Sequence, residues 1–184
     1  MGATDGPQVI CDTRQQAGHH GHVDGWLEAH GVSYEYRKVD FGDYVRGDEA
    51  GNVSVDTKKD VQELAANCGR DHARFVRELV RARDAGWRLY VLVEQHPEYE
   101  DRAKLEGWVS GVCRRCHFRA RGMCRPSETR GARCLRGARP MQGDALAKIL
   151  DTMERRYGVR FMFCAKRDTA RVICGLLGVE VKDG

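Results

Sequence analysis

The chain has 184 residues, 41% of them hydrophobic and 32% charged, and its net charge is +4. This composition is typical of globular proteins and excludes disordered and fibrous classes. No run of about 18 apolar residues is present, and the first residues lack the basic and apolar regions of a secretory leader. We therefore expect an intracellular, cytoplasmic protein whose eight cysteines are thiols or metal ligands rather than disulfides.

The first part of the sequence alternates strand and helix patterns. Residues 8–12 form a short apolar run that predicts a buried strand, and a helix is expected over 23–30. Alternating apolar and polar residues predict strands over 32–39 and 53–58. The glycines and acids between these two segments predict a hairpin-like connection.

Three helices and a buried strand are predicted from caps and periodicity. Asp60 and Glu63 form a capping box that opens one helix, and Asp71 is expected to cap the next, which ends at Gly86. The apolar run over 89–93 predicts a central strand covered on both faces. Asp144 is expected to cap a long amphipathic helix.

The C-terminal part repeats the alternation. A strand is predicted over 159–164, and Asp168 is expected to cap a last helix that ends at Gly178. Strands that alternate with helices indicate an α/β fold with a mixed sheet. The region 97–142 interrupts this pattern, and loops of such length are usually functional.

We predict one discontinuous domain with an insert. The core would comprise residues 8–96 and 141–178, the insert residues 107–140, and the C-terminal tail residues 179–184.

The insert carries the excess positive charge of the chain. Residues 113–139 contain nine arginines, no lysine and a single acid, Glu128, an excess of eight positive charges. Because the whole chain is +4, the rest has a net charge of −4. Such a cluster is typical of a polyanion-binding surface, and guanidinium groups bind phosphate bidentately. The alternative is a solvated loop that is merely rich in arginine. The arginines are Arg114, Arg115, Arg119, Arg121, Arg125, Arg130, Arg133, Arg136 and Arg139.

Four cysteines of the insert have the spacing C-x2-C-x7-C-x9-C, and they are Cys113, Cys116, Cys124 and Cys134. Four thiolates suit tetrahedral Zn²⁺, which would also supply folding energy to a segment with little core. His117 is an alternative ligand, and an iron–sulfur cluster or four unrelated thiols are the other interpretations. The remaining cysteines are expected to be small buried hydrophobes, and they are Cys11, Cys68, Cys164 and Cys174.

Acidic residues follow or flank the predicted strands. Asp12 ends the first strand, Asp43 follows the second, and Asp56 lies two residues before Lys58, on the same strand face. Carboxylates hold a hard cation such as Mg²⁺ or Mn²⁺, and a lysine can position water or stabilise charge on phosphorus. The alternatives are a turn residue for Asp43 and a surface ion pair for Asp56 and Lys58.

Three motifs resemble those of one family of nucleases. The sequence reads V-I-C-D-T-R at 9–14, G-D-Y at 42–44 and V-D-T-K at 55–58. These motifs are similar in kind and order to D-x-R-E, G-D-Y and E-R-K-x-x-x-D of the XPF/MUS structure-specific endonucleases, within the PD-(D/E)xK restriction-like superfamily. The resemblance implies a restriction-endonuclease-like mixed central sheet flanked by helices.

The resemblance also implies roles for individual residues. Asp12, Asp43 and Asp56 would be Mg²⁺ ligands, Lys58 the catalytic lysine, and Arg14 a neighbour of the bound phosphate. It further implies a homodimer or heterodimer formed through the nuclease domain.

The sequence departs from the family pattern at several places. Gln15 and Asp56 stand where the family has glutamates, Thr57 where it has an arginine, and Gln62 where it has an acid. These changes reduce the number of charged side chains around the metal core, so activity is expected to be reduced or altered. The tandem helix-hairpin-helix module that usually follows is also expected to be absent, with the insert as the DNA anchor instead.

The sequence therefore predicts a Mg²⁺-dependent endonuclease of branched DNA, such as flaps, forks or Holliday junctions. One alternative is a non-catalytic, zinc-containing DNA-binding protein on a decayed nuclease scaffold, and the other is an iron–sulfur nuclease that acts on DNA ends. His19, His20 and His22 are expected to be exposed bystanders, or to touch substrate because they follow Asp12.

Overall fold

A mixed six-stranded sheet forms the centre of the molecule. The structure is a computed structural model that describes residues 6–14, 21–48, 50–124, 134–137 and 139–181. The strand order is β2-β1-β3-β4-β5-β6. The strands are β1 (Val9–Cys11), β2 (Tyr34–Tyr36), β3 (Tyr44–Arg46), β4 (Val53–Lys58), β5 (Arg88–Val93) and β6 (Arg160–Phe163).

Helices cover both faces of this sheet. One core cluster joins the helices over residues 61–68, 72–84 and 143–157 to Val91 and Val93. A second joins the helices over residues 21–29 and 169–177 to Leu92, which lies between these two valines and points to the opposite face. The predicted mixed sheet with flanking helices is therefore confirmed. The helices are α1 (Gly21–Ala29), α2 (Val61–Cys68), α3 (His72–Asp84), α4 (Arg102–Glu106), α5 (Gly111–Arg114), α6 (His117–Ala120), α7 (Gly143–Tyr157) and α8 (Thr169–Leu177), with 3-10 turns at Pro97–Glu100 and Lys166–Asp168.

The strand directions bring several strand ends to one side of the sheet. β3 runs antiparallel to β1 and β4, whereas β4, β5 and β6 are mutually parallel. The carboxyl ends of β1, β4, β5 and β6 therefore lie beside the amino end of β3. We call this side the carboxyl edge.

The predicted hairpin between residues 32–39 and 53–58 is wrong. β2 pairs with β1 in parallel, and β1 and β3 separate it from β4. β3 has only three residues and lies between Gly42 and Gly47, so its pattern is too short to stand out. Gly42 has φ +66, and a Cβ there would lie 2.8 Å from the Val55 carbonyl oxygen. Close backbone approach therefore requires glycine at this position.

The capping predictions had mixed outcomes. Asp60 accepts from the Glu63 backbone N–H at 2.8 Å, and Glu63 accepts from the Lys59 N–H at 3.0 Å. α7 begins at Gly143 after Gln142, so the prediction that Asp144 caps it is wrong; Asp144 lies inside the first turn. Asp71 and Asp168 occupy the cap positions of α3 and α8, but their side chains make no capping hydrogen bond.

The region between β5 and α7 folds onto the core at its beginning. Leu105 and Trp108 are buried in the same core cluster as α7. Among the described residues, no helix is long and apolar enough to cross a membrane.

Candidate active site at the carboxyl edge

Three aspartates occupy neighbouring positions on adjacent strands. The Asp12 backbone N–H donates to the Asp43 carbonyl at 2.7 Å, and the Asp43 N–H donates to the Val55 carbonyl at 2.8 Å. Asp43 thus lies between Asp12 at the end of β1 and Asp56 on β4. The backbone brings together the residues that the sequence motifs single out.

Asp56 and Lys58 form a largely buried ion pair. Lys58 Nζ lies 2.6 Å from Asp56 Oδ2, and the side chains are only 12% and 20% exposed, respectively. Their spacing of two on β4 puts both on the sheet face that α2 covers. At this distance the charge of the Lys58 ammonium and its hydrogen bond both favour the ionised form of Asp56.

Burial governs the protonation of this pair. Burial raises the pKa of Asp56 to about 6, because the attraction of Lys58 opposes it only in part and the charge of Asp43 adds to it. For Lys58, burial favours the neutral amine, but the opposing attraction of Asp56 prevails and the pKa is raised. Lys58 is therefore a protonated ammonium at neutral pH, beside two carboxyl groups.

Asp43 is fixed by a residue that the sequence analysis treated only as a departure. Thr57 donates to Asp43 Oδ2 from its backbone N–H and from its hydroxyl, each at 2.7 Å. The Thr57 side chain is on the opposite face of β4 from Asp56 and Lys58. Asp43 therefore contacts the face of β4 that carries the Thr57 side chain. Its negative charge still acts on Asp56 and Lys58, which lie on the opposite face.

Asp12 is engaged by Arg14. Arg14 Nε donates to Asp12 Oδ2 at 2.6 Å and its backbone N–H donates to Oδ1 at 3.1 Å, while Nη2 donates to the Val39 carbonyl at 2.6 Å. The Arg14 side chain is still 57% exposed. Asp12 and Arg14 both lie at the carboxyl edge. There Arg14 donates to both carboxylate oxygens of Asp12.

The carboxylates suit a hard divalent cation chemically without forming a complete cage. Within the described ranges, no group of three or more His, Cys, Asp and Glu side chains is arranged to hold a metal ion. Carboxylate oxygens are the ligand type that Mg²⁺ prefers. Here Asp56 Oδ2 lies 2.6 Å from Lys58 Nζ, Asp43 Oδ2 accepts from Thr57, and Asp12 accepts from Arg14.

Glu94 and His22 form a second pair at the same edge, which the sequence analysis did not identify. Glu94 follows β5, its side chain is 6% exposed, and its Oε1 lies 2.9 Å from His22 Nε2. The sequence signal was an acid directly after a buried strand. His22 is thus only partly exposed, contrary to the expectation of an exposed bystander, whereas His19 and His20 lie outside the described residues.

The four cysteines of the insert differ in environment. Cys113 and Cys116 are buried, and Cys124 and Cys134 are partly exposed. Gln142 Nε2 lies 3.6 Å from Cys113 Sγ. Hydrogen bonds from the Arg119 and Phe118 backbone N–H groups and the positive charge of Arg136 lower the pKa of Cys116 and outweigh its desolvation.

Arg136 links the two halves of the insert. Its Nη1 donates to the Val112 carbonyl at 3.3 Å, and it also hydrogen-bonds Cys116. The segment 134–137 therefore folds back onto the first pair of cysteines. None of the eight cysteines forms a disulfide, and Cys11, Cys68, Cys164 and Cys174 are buried, as predicted.

Most described arginines of the insert face solvent. Arg114, Arg115 and Arg121 are exposed, and Arg119 is half-buried. Arg125, Arg130 and Arg133 lie outside the described residues.

Comparisons with known proteins identify the family and the fold of the chain. The sequence matches the family model described as "ERCC4 domain" over residues 11–176. The fold is similar to "XPF from Aeropyrum pernix", with a TM-score of 0.56 and 19% sequence identity. That match covers 94% of this chain and 66% of the other, so the chain spans just under two thirds of that structure. No curated protein matches the sequence.

Proposed function

The chain belongs to the ERCC4 domain family, the family of the XPF nucleases, and from this premise we propose that it is a Mg²⁺-dependent, structure-specific DNA endonuclease. The substrate would be branched DNA, such as a flap, a fork or a Holliday junction. The observation that carries the proposal is the buried Asp56–Lys58 ion pair of 2.6 Å with Asp43 beside it. A DNA substrate also favours the intracellular location that the sequence predicts.

We assign each residue of this site a separate task. Asp43 and Asp56 would hold the cation, and Asp12 would join them if Arg14 moved to a phosphate. A Mg²⁺ ion held there would supply polarisation of the phosphodiester and a lower pKa of the attacking water. The Lys58 ammonium donates to the phosphate oxygens on which negative charge develops, and its burial strengthens that interaction relative to water.

The proposed DNA-binding surface is the arginine-rich insert. Arg114, Arg115 and Arg121 are exposed and belong to a segment with an excess of eight positive charges. Phosphate contacts position the duplex without reading bases, so binding should depend on DNA shape and fall steeply with salt.

We further propose that Zn²⁺ closes the insert through Cys113, Cys116, Cys124 and Cys134. Met123 is 60% exposed and Leu135 is 51% exposed, so this segment buries little apolar surface of its own and needs another source of folding energy. The contacts of Arg136 with Val112 and Cys116 support the proposal, because they bring the region of Cys134 towards the first cysteine pair. An iron–sulfur cluster would instead colour the purified protein brown.

Two further features extend the proposal to the whole chain. The core of 8–96 and 141–178 would act as one unit, with 107–140 as an insert and 179–184 as a tail. A homodimer or heterodimer would form through the nuclease domain, as the family resemblance implies. Light scattering of the purified protein at several concentrations tests the homodimer.

The second candidate is a non-catalytic DNA-binding protein, which the occupation of Asp12 by Arg14 favours. A cleavage assay separates the two. Wild type, Lys58→Ala and Lys59→Ala are incubated with labelled flap, fork and four-way-junction DNA, with Mg²⁺ or EDTA. We expect Mg²⁺-dependent cleavage by wild type and Lys59→Ala only. Equal inactivity of all three proteins with retained DNA binding would support the non-catalytic candidate.

A further inference from the structure

Gln62 connects the nuclease core to the start of the insert. Its Oε1 accepts from the Gly111 backbone N–H at 2.8 Å and from the Ser110 hydroxyl at 3.0 Å. Gln62 lies in the first turn of α2, whereas Ser110 and Gly111 begin α5, the helix that contains Cys113. One amide oxygen thus joins two elements that are 48 residues apart in sequence.

This junction is buried and closely packed. Ser110 has no solvent exposure, and its hydroxyl oxygen also accepts from the Val112 N–H at 3.2 Å. A Cβ added to Gly111 would lie 3.3 Å from Arg115 Nη1 and 3.5 Å from Gln62 Oε1. Losing the Gln62 oxygen would leave buried donors without a partner, which is costlier than losing an exposed hydrogen bond.

The segment that leads out of the insert also passes close to Gln62. Gln62 lines a groove of about 690 Å³ between α2 and residues 139–145, and Arg70 and Arg139 also line this groove. At the start of α7, the Gly143 N–H donates to the Trp108 carbonyl at 3.0 Å. Gln62 therefore lies close to both chain segments that connect the insert to the core.

Gln62 is also close to the candidate active site along the chain. Lys58 ends β4, and α2 starts three residues later at Val61. Asp60 accepts from the Glu63 N–H and Glu63 accepts from the Lys59 N–H. These two hydrogen bonds fix the segment between Lys58 and the first turn of α2, and with it the position of Gln62 relative to Lys58.

From this juxtaposition we propose that Gln62 is a positioning residue that orients the arginine-rich insert relative to Lys58, and so determines where bound DNA is cut. The inference rests on the proposed endonuclease function and deepens it. Gln62 stands where the family pattern has an acid, and its amide oxygen has a defined pair of donors. A carboxylate oxygen at this position would accept the same two hydrogen bonds.

Three variants test the proposal. Gln62→Leu keeps the size of the side chain but removes the acceptor, Gln62→Glu keeps an acceptor, and Gln95→Ala is the matched control. Gln95 Oε1 accepts from the Val61 N–H at 2.9 Å, so its loss weakens the same turn of α2 without touching the insert.

The first measurement does not require activity. Limited trypsin digestion without DNA, followed by mass spectrometry, reports cleavage after Arg114 and Arg115. We expect about a fivefold faster cut in Gln62→Leu, and wild-type rates in Gln62→Glu and Gln95→Ala. Equal digestion of Gln62→Leu and wild type would overturn the proposal, whatever the enzyme assays show.

The second measurement maps the cut on end-labelled branched DNA. We expect Gln62→Leu to spread cleavage over neighbouring phosphates and to raise KM about fivefold with little change in kcat. Gln62→Glu should restore the wild-type pattern. A wild-type pattern in Gln62→Leu would contradict the proposal, and a loss of kcat alone would do the same. If wild type itself cuts no DNA, the proposed function fails, while the digestion result still reports on the junction.

Discussion

Thr57 donates two hydrogen bonds to the same carboxylate oxygen of Asp43, one from its backbone N–H and one from its hydroxyl. Thr57 occupies the position at which the family pattern has an arginine, so this departure provides a fixed contact at the carboxyl edge. The contact joins the start of β3 to the end of β4. It holds Asp43 within electrostatic reach of Asp56 and Lys58.

Replacing Thr57 with valine should reduce catalysis. Thr57 is 8% exposed, and valine has nearly the same shape but no hydroxyl, so Asp43 keeps the backbone donor and loses the other. We expect single-turnover cleavage at saturating Mg²⁺ to slow about tenfold, because a misplaced ligand affects the transition state more than the bound substrate. Thr57→Ser should retain most of the rate. Equal rates for valine and threonine would show that the hydroxyl has no role in positioning Asp43.

Replacing Lys58 with methionine should abolish cleavage and leave DNA binding intact. The Lys58 side chain is 12% exposed and pairs with Asp56, so its charge acts in a poorly solvated place where electrostatic stabilisation is large. We expect cleavage to fall by about a hundredfold or more. Lys59→Met is the control, because Lys59 is exposed and its replacement removes the same charge one residue away. A similar loss in both variants would assign the effect to DNA attraction.

The sequence predicted the class of fold because caps and periodicity act locally. The Asp60 side chain caps α2 as predicted, whereas Glu63 accepts from the Lys59 N–H rather than from the Asp60 N–H that a capping box requires. The apolar strand at residues 89–93 also appears in the structure. β3 was missed because a strand of three residues has too few positions to show alternation. Its place between β1 and β4 depends on pairings that only the complete sheet provides.

The proximity of the candidate residues was predictable from the sequence, whereas their individual contacts were not. Spacing of two put Asp56 and Lys58 on one strand face, and the motifs selected Asp12 and Asp43. The sequence could not show that Arg14 pairs with Asp12, or that Gln62 reaches Ser110, because these contacts depend on loop geometry and on elements 48 residues apart. His22 and Glu94, 72 residues apart, illustrate the same limit.

The stability of the metal-free protein should fall as pH rises from about 4 to 6. Burial raises the pKa of Asp56 from 3.8 to about 6, so in this range the folded state keeps a proton that the unfolded state has lost. The unfolded state binds fewer protons, and the free energy of unfolding therefore decreases with pH, by about 2 kcal/mol in total.

Asp56→Asn tests this pH dependence. Urea unfolding in EDTA at several pH values should show the decrease in wild type and a smaller one in Asp56→Asn. Asp84→Asn removes a surface carboxylate of α3 and should behave as wild type. An unchanged decrease in Asp56→Asn would assign the effect to other groups.

Alkylation should separate the core cysteines from those of the insert. Burial raises the pKa of Cys68 to about 12 and that of Cys174 to about 11, and the thiolate is the reactive form. In native protein at pH 8, we expect iodoacetamide to leave both unmodified over hours. Cys124 and Cys134 are partly exposed and should react once a chelator has removed bound metal. Mass spectrometry identifies the modified residues, and fast reaction of Cys68 would show that the core opens readily.

Replacing Cys113 and Cys116 with serine should weaken DNA binding more than it alters the chemistry at Lys58. Without these thiolates, the insert would lose its metal and the ordered presentation of its arginines. We expect the variant to lose about one bound zinc, to bind fork DNA about tenfold more weakly, and to show a shallower dependence of affinity on salt. Cys68→Ser changes a buried core thiol and should keep its zinc. Elemental analysis and fluorescence anisotropy measure both properties, and unchanged affinity in the zinc-free variant would exclude the insert as the DNA anchor.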